Sequence, residues 1–311
     1  MPELAATLEE FPILAGRRGF IAGQLSPFVR VARSSGSYGI LPIEQILKQA
    51  DLKRAPGAPY NRTELKFETA TFATEEFGLE EPIDDRERAL YADYFDHDQI
   101  VAARLQHKVL EGLESAVAAA VKAGVSTTTG VSANWSTISA DIIGDVNGAV
   151  ETVRGRIGTA PDTMVVSWPK WRAMLRNTGI QNLIKYWGQD PNIRSLSATA
   201  DIMAKAVGID RILVADMVTN GAAEGQAASL SDIWDVDEAV LLKTAKTGDF
   251  REVTAVRIFE YLGDGAGVDE SMSLEKYRDE SIRGDVMRAR NEYDVKVVYA
   301  AAGHRLTGLN Q

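Results

Sequence analysis

The stretch DDRERALYADYFDHDQIVAARLQHKVLEGLESAVAAAVK, Asp84–Lys122, is the longest uninterrupted helical pattern in the chain. Leu90, Tyr94, Val101, Leu105, Val109, Leu113, Val117 and Val121 recur mostly every four residues, which places one apolar stripe on a helix. Pro82 stands just ahead, Asp84-Asp85 suits an N-cap and first turn, and Gly124 suits the position after the last turn. At 1.5 Å per residue, about 39 residues make a rod of roughly 58 Å. A compact globule of this length has a radius of gyration near 20 Å, hence a diameter of about 50 Å. A rod longer than its globule implies a plate-shaped subunit. Two other readings stay open: a coiled-coil arm, against which the pattern lacks sustained heptads, and a break at Asp96-His97-Asp98, where polar residues interrupt the stripe.

With 311 residues the chain can bury a substantial core, as one large or two modest domains. There is no cysteine, which excludes a disulfide framework, a thiol nucleophile and a cysteine metal site, and which fits a reducing compartment. Met1-Pro2-Glu3 opens no secretory signal pattern, and no stretch reaches the 18 or so apolar residues of a membrane span. The net charge of −10 argues against a protein that grips phosphates, while permitting one that lives beside nucleic acid without adhering to it.

Working outward from the helix, residues 1–35 read as an arm. Phe11, Ile13, Leu14, Phe20, Ile21, Leu25, Phe28 and Val29 are apolar, yet Pro12, Gly16, Gly19, Gly23 and Pro27 break every period. An apolar segment that cannot fold on itself either docks on something else or stays a disordered tail. Residues 36–78 form a long excursion, opened by Tyr38, Ile40 and Pro42 and closed by strand-like alternation over Glu64–Thr74. Its tip, Ala50–Arg62, holds Lys53, Arg54 and Arg62 around Ala55-Pro56-Gly57-Ala58-Pro59, and with so little core of its own the excursion is either a mobile hairpin or one that packs on a neighbour. Such a basic tip complements an acidic face like Glu75–Asp85 on an adjacent copy.

After the helix, Gly124–Ser136 reads as a polar linker. Residues 137–245 then alternate as a small α/β layer. A helix carries Ile138, Ile142, Val146, Val150, Val153 and Ile157; a strand covers Thr163–Ser167; a short helix starts at Pro169; 178–198 is irregular. A further helix, Thr199–Val207, is followed by strands at Arg211–Ala215 and Ala239–Lys243. The tail returns to strands at Val253–Leu262, Ser273–Arg283 and Val286–Ala302, the last two pairing as an antiparallel ribbon along the helix.

Catalytic and binding patterns are sparse. Gly263-Asp264-Gly265-Ala266-Gly267 lacks the lysine and hydroxyl of a phosphate loop and reads as a turn. Met164–Ser167 runs into Trp168-Pro169 with no dinucleotide fingerprint. Asp93 and His97 lie one turn apart, but no third metal ligand follows at helical spacing. His107 and His304 complete the histidines, and no Gly-x-Ser-x-Gly elbow accompanies them. Glu75-Glu76, Glu80-Glu81 and Asp84-Asp85 sit in a turn and at a helix start, where anions are favoured by the dipole rather than tuned for acid–base work. No catalytic, cofactor-binding or metal residue is assigned, and no enzyme is expected.

The order of parts is arm, excursion, spine helix, inserted α/β layer and returning ribbon. That order, with Glu75-Glu76-Phe77-Gly78-Leu79-Glu80-Glu81-Pro82-Ile83-Asp84-Asp85-Arg86-Glu87 leading into the spine, resembles tailed-bacteriophage major capsid proteins of the Hong Kong 97 type. The stretch from Ala140-Asp141-Ile142 through Pro161-Asp162-Thr163-Met164-Val165-Val166-Ser167 to Trp171 is similar to that family as well. The resemblance implies an α+β capsid fold in which 1–35 is the N-terminal arm and 36–78 the extended E-loop. It makes 79–136 and 246–311 the peripheral (P) domain and 137–245 the axial (A) domain. It further implies self-assembly through hexamers and pentamers into an icosahedral virion shell around double-stranded DNA, without sequence-specific binding, inside the bacterial host cytoplasm. A portal and a separate scaffolding protein, or none, are the implied partners, since no long N-terminal scaffolding segment is seen. Lysine–asparagine crosslinking, known in some relatives, is not carried over to Lys48, Lys53 or Lys66, where nothing matches a motif. An encapsulin-like bacterial nanocompartment shell enclosing protein cargo is the alternative, and a soluble enzyme with no recognisable site is third.

Overall fold

The computed structural model describes residues 19–310, apart from positions 55, 58, 65, 93–95, 126, 187–195, 224, 262 and 264–271. A one-turn helix α1 (Ala22–Leu25) and strand β1 (Phe28–Val31) lead into a hairpin of β2 (Ser35–Ile40) and β3 (Glu68–Ala73), whose connection carries α2 (Ile43–Ile46). Strand β4 (Glu75–Asp84) runs directly into α3 (Asp85–Tyr91), and the longest helix, α4 (His97–Gly124), follows. Then come β5 (Thr128–Gly130), α5 (Ile142–Ile157), β6 (Thr163–Ser167), α6 (Trp168–Met174), α7 (Thr178–Tyr186) and α8 (Leu196–Val207). Strands β7 (Arg211–Ala215), β8 (Val218–Asn220), β9 (Leu230–Asp232), β10 (Glu238–Leu242) and β11 (Val256–Tyr261) precede the ribbon of β12 (Ser273–Asp279) and β13 (Gly284–Val297), and β14 (Gly303–Thr307) is last.

The expected single rod is two helices. Asp84 ends β4 and caps α3 by accepting from Arg86 N at 2.7 Å. Asp96 starts a new helix, its carboxylate accepting from Asp98 N at 3.0 Å and Gln99 N at 3.4 Å. Arg88 then bridges to Asp98 at 3.0 Å and to Asp285 at 2.7 Å, tying α3 to the start of α4 and to β13. The 28 residues of α4 span roughly 42 Å. That is shorter than the roughly 50 Å globule, so helix length does not argue for a plate. The stripe itself is real: Val101, Leu105, Val109, Leu113, Val117 and Val121 are all buried. Leu90 is exposed, and Tyr94 lies outside the described residues.

Two five-stranded sheets flank α4. In one, the order is β1-β11-β13-β12, with β4 also paired to β13. The ribbon is antiparallel, from Ser273 opposite Arg290 to Asp279 opposite Gly284, and β4 runs antiparallel along β13 from Glu75 opposite Tyr293 to Asp84 opposite Gly284. Ile83, Met287 and Ala289 of this sheet pack on Val101, Leu105 and Val109 of α4. The second sheet has the order β5-β14-β10-β6-β7. Its two faces follow the period of a strand: Met164 and Val166 pack with α5–α8, whereas Val165 packs toward Leu113, Val117 and Val121 of α4.

Three features differ from the sequence reading. The stretch from 178, expected to be irregular, contains α7, on which Asn177 Oδ1 accepts from Ile180 N at 3.1 Å and Ile180 and Ile184 are buried. The polar linker contains Trp135, which is 0% exposed and donates through Nε1 to Asp145 at 2.9 Å, and β5, which pairs parallel with β14. Beyond Ala302, where the sequence reading ended its last strand, a further strand β14 pairs with β10 of the α/β sheet. Gly303 allows that pairing, because a Cβ there would lie 2.7 Å from Val125 Cγ2.

Candidate assembly surface

Among the described residues, the hairpin β2–β3 is anchored chiefly at its base. Tyr38 and Phe72 pack on Phe259 of β11, with ring centroids 5.0 and 4.7 Å apart. The Tyr299 hydroxyl accepts from Leu41 N and donates to Leu41 O, both at 3.0 Å. Leu47 reaches the C-terminal end of α5 at Gly158, whose φ of +75° suits a glycine cap. Ile40 and Ile43 pack against the core beside α4, and farther out the excursion holds itself together locally. Gln45 Oε1 accepts from Lys66 N at 2.9 Å, Asn61 donates to Asp51 O at 2.8 Å, and the Arg54 guanidinium lies 4.6 Å from the Tyr60 ring centroid. Leu52 is 90% exposed and Tyr60 74%, and Ile46, Leu47 and Phe67 are exposed too. Large apolar side chains on so slender a projection mark an interaction surface. At its base, an open groove of about 690 Å³ is lined by Tyr38, Ile40, Phe67, Phe72 and Phe250.

Much of the acidic run is paired within the chain. Arg290 binds Glu76 at 3.2 Å and Glu275 at 2.8 Å, Arg288 binds Glu80, Arg104 binds Glu81 at 2.8 Å, and Arg278 grips Asp85 at 2.7 Å. Asp285, between Arg88 and Lys276, is held down to about 2 by hydrogen bonds from both. Glu76, Glu80, Glu81 and Asp85 thus already have arginine partners within the chain, so a neighbour's basic tip would meet a run whose charge is largely compensated. Lys48, Lys53 and Lys66 are exposed.

One anchoring residue escaped the sequence reading. Glu114, on the buried face of α4, is 0% exposed and accepts from Ile21 N at 3.1 Å, Ala22 N at 2.9 Å and the Trp234 indole. It clips the segment ahead of β1 onto α4 by capping α1. Burial pushes its carboxyl upward against the pull of these donors.

The sequence-flagged chemical candidates do not converge. Asp93 and residues 264–267 of the glycine-rich turn lie outside the described residues. His97 opens α4, His107 sits along it, and burial lowers the His107 imidazole. Among the described residues no group of three His, Asp or Glu could hold a metal ion, and no helix is long and apolar enough to cross a membrane.

His304 is 0% exposed in β14, and neither ring nitrogen has a hydrogen-bond partner. Burial, reinforced by the Arg156 charge, holds its imidazole below the usual value of about 6.5. Below that value the unfolded chain takes up a proton that the folded chain refuses. Stability present above about pH 6.5 is thus lost as pH falls toward the folded value, at up to about 1.4 kcal/mol per pH unit. Thermal melts of His304→Leu are expected to show a shallower loss over that window than the parent; identical slopes would place the acid sensitivity elsewhere.

The sequence matches no family model and no curated protein. Solved structures do match. A phage-related protein from Bordetella bronchiseptica RB50 is similar over 100% of this chain and 97% of its own, with a TM-score of 0.67 at 16% identity. The capsid structure of cyanophage P-SCSP1u is similar over 92% of this chain and 87% of its own, at 0.60 and 13%. A virus-like particle from Pyrococcus furiosus is similar over 94% and 97%, at 0.54 and 11%. At such identities the likeness establishes the fold: the chain is α+β and has the Hong Kong 97-type capsid fold.

Proposed function

We propose that this chain is the shell-forming subunit of a tailed-phage head, many copies of which close with point-group symmetry around double-stranded DNA. The observation that carries the reading is the excursion, which exposes Ile46, Leu47, Leu52, Tyr60 and Phe67 on a fold shared with capsid subunits. In this reading residues 1–35 are the N-terminal arm, 36–78 the E-loop, 79–136 with 246–311 the P-domain and 137–245 the A-domain, the last completed by β14. Hexamers and pentamers, a portal and a separate scaffolding protein are its partners, and assembly takes place in the host cytoplasm. The subunit is structural, not catalytic.

Electron micrographs of the purified protein are expected to show closed shells or ordered rings. A chain that stays monomeric at high concentration and under crowding overturns the proposal. The net charge of −10 keeps a packaged polyanion from adhering, so the purified protein is expected to leave a DNA duplex unshifted at physiological salt. Sub-micromolar binding there contradicts it. A nanocompartment shell has the likeness to the virus-like particle in its favour. Protein cargo without nucleic acid in purified particles selects that reading instead.

A further inference from the structure

Residues 1–18 lie outside the described residues, and the place where the described chain begins fixes where they must end. Gly19 packs against the turn between β7 and β8. A Cβ on it would lie 2.7 Å from the Asp216 carbonyl carbon and 2.8 Å from Met217 N. Met217 O accepts from Ile233 N at 3.1 Å. Ile21 N and Ala22 N donate to Glu114, the carboxylate that also takes the Trp234 indole N–H. Ile233 and Trp234 both line a cleft of about 600 Å³ between α4 and the face of the second sheet that carries Val165 and Val240. The helical wall of this cleft runs from Ser115 to Lys122, about 10 Å of α4, and Ala118 and Ala119 at its centre are too short to fill the space. The chain ahead of Gly19 therefore arrives beside an unfilled cleft whose walls are largely apolar.

We propose that Phe11, Ile13 and Leu14 of the same chain dock in this cleft, so that residues 11–18 form a strap fastening α4 to the second sheet. Reach permits it. At no more than about 3.5 Å per residue, Leu14 can stand up to roughly 18 Å from Gly19 and Phe11 up to roughly 28 Å, against a cleft wall about 10 Å long. Composition favours it, because Phe11-Pro12-Ile13-Leu14 is the last group of large apolar residues before Gly19. These side chains supply the bulk that Ala118 and Ala119 lack, and docking takes apolar surface of both segment and cleft out of water. Charge agrees as well. Arg17-Arg18 immediately precede Gly19, which sits on Asp216. Partial burial and the Asp216 charge both push upward the carboxyl of Asp232, which lines the cleft, so two cations delivered to this corner are favoured there. Tethering selects the chain's own segment over that of a second copy, since a short linker gives it an effective concentration of about a millimolar or more.

The chain has no cysteine, so a single introduced thiol reports accessibility cleanly, and it does so in the unassembled chain whether or not the chain builds shells. Ala119→Cys places that thiol on the helical wall of the cleft, at a residue exposed among the described residues. Its modification by a small maleimide, followed by mass, is expected to be about tenfold or more slower in the otherwise unchanged chain than in one that also carries Phe11→Ser, Ile13→Ser and Leu14→Ser. A synthetic peptide of residues 1–18 added to the triple variant is expected to restore the protection saturably. Two further positions serve as references. Ala123→Cys, exposed one turn beyond the cleft, is expected to react at the same rate in both backgrounds. Ala149→Cys, buried in the core among α5–α8, is expected to stay protected in both. Reaction at Ala149→Cys in the triple variant would mean that its fold has opened, and Ile13→Ser alone then supplies the comparison. Equal rates at Ala119→Cys with and without the apolar side chains overturn the proposal. Protection that fades on dilution overturns it too, by assigning the cleft to the segment of another copy.

Discussion

Leu105→Asp is expected to give insoluble protein. Leu105 is 3% exposed and sits where α4 packs on the sheet, among Val101, Val109, Ile83, Met287 and Ala289. Removing the leucine forfeits about 1.5–3 kcal/mol of apolar burial. The carboxylate then enters a cluster of apolar side chains and brings a further several kcal/mol of unpaired burial. Arg104, the adjacent cation, is committed to Glu81 at 2.8 Å and points to the exposed side of the helix. Together these terms consume much of the roughly 5–15 kcal/mol by which a domain is stable. Leu105→Met, which nearly conserves volume, is expected to cost less than about 1.5 kcal/mol and to remain soluble. The soluble fraction after expression and the thermal midpoint of the methionine variant are the measurements. Soluble, folded Leu105→Asp would mean that this face of α4 meets solvent.

What was legible in the sequence is what burial imposes at short range. The stripe from Val101 to Val121 reads as helix because one face of α4 must meet both sheets, and the ribbon reads as strands because β13 alternates between a packed and an open face. The break at Asp96 was visible as an interruption but not as a restart. Whether Asp96 interrupts a helix or caps a new one depends on which backbone N–H groups its carboxylate finds. Trp135 looked like a lone aromatic in a polar linker, and its burial is decided by Asp145 and by the late residue Leu309, whose carbonyl accepts from Trp135 N at 3.2 Å. Glu114 gave no signal at all. A glutamate inside a helix looks solvated until α1 and Trp234 arrive from distant parts of the chain.

The assembly surface divides in the same way. The excursion's want of a core was plain from prolines and glycines scattered among its apolar residues. The commitment of the acidic run was hidden, because Arg288 lies 208 positions from Glu80 and Arg290 lies 214 from Glu76. Composition shows how many charges a chain has, and only the register of β4 against β13 shows which of them are already paired.

Replacing residues 50–62 with a short Gly-Ser turn is expected to abolish closed particles while leaving the subunit's fold intact. No described residue of this stretch belongs to a hydrophobic core cluster, and Lys53 N to Asp51 at 2.9 Å and Asn61 to Asp51 O at 2.8 Å are contacts among its own residues. The anchors of the excursion lie outside the replaced segment: Tyr38 and Phe72 on Phe259, Leu41 on Tyr299, and Gln45 on Lys66. A surface change of this kind alters stability by about 0.5 kcal/mol or less, which for a chain of this size moves the thermal midpoint by about 2 °C or less. Association is a different matter. The exposed Leu52 and Tyr60, with the Arg54 guanidinium against the Tyr60 ring, have the makeup of interface anchors, and aromatic and arginine side chains dominate binding energy where they are buried by a partner. Because Glu76, Glu80, Glu81 and Asp85 are occupied within the chain, the lost contact is expected to be mainly apolar, so raising salt should weaken assembly of the parent only modestly. Circular dichroism melts of the unassembled subunit and electron micrographs of the assembly reaction read the two halves of the prediction separately. Full-size shells from the replacement variant would make the tip dispensable, and a collapse of the subunit's melt would place the tip in its own core.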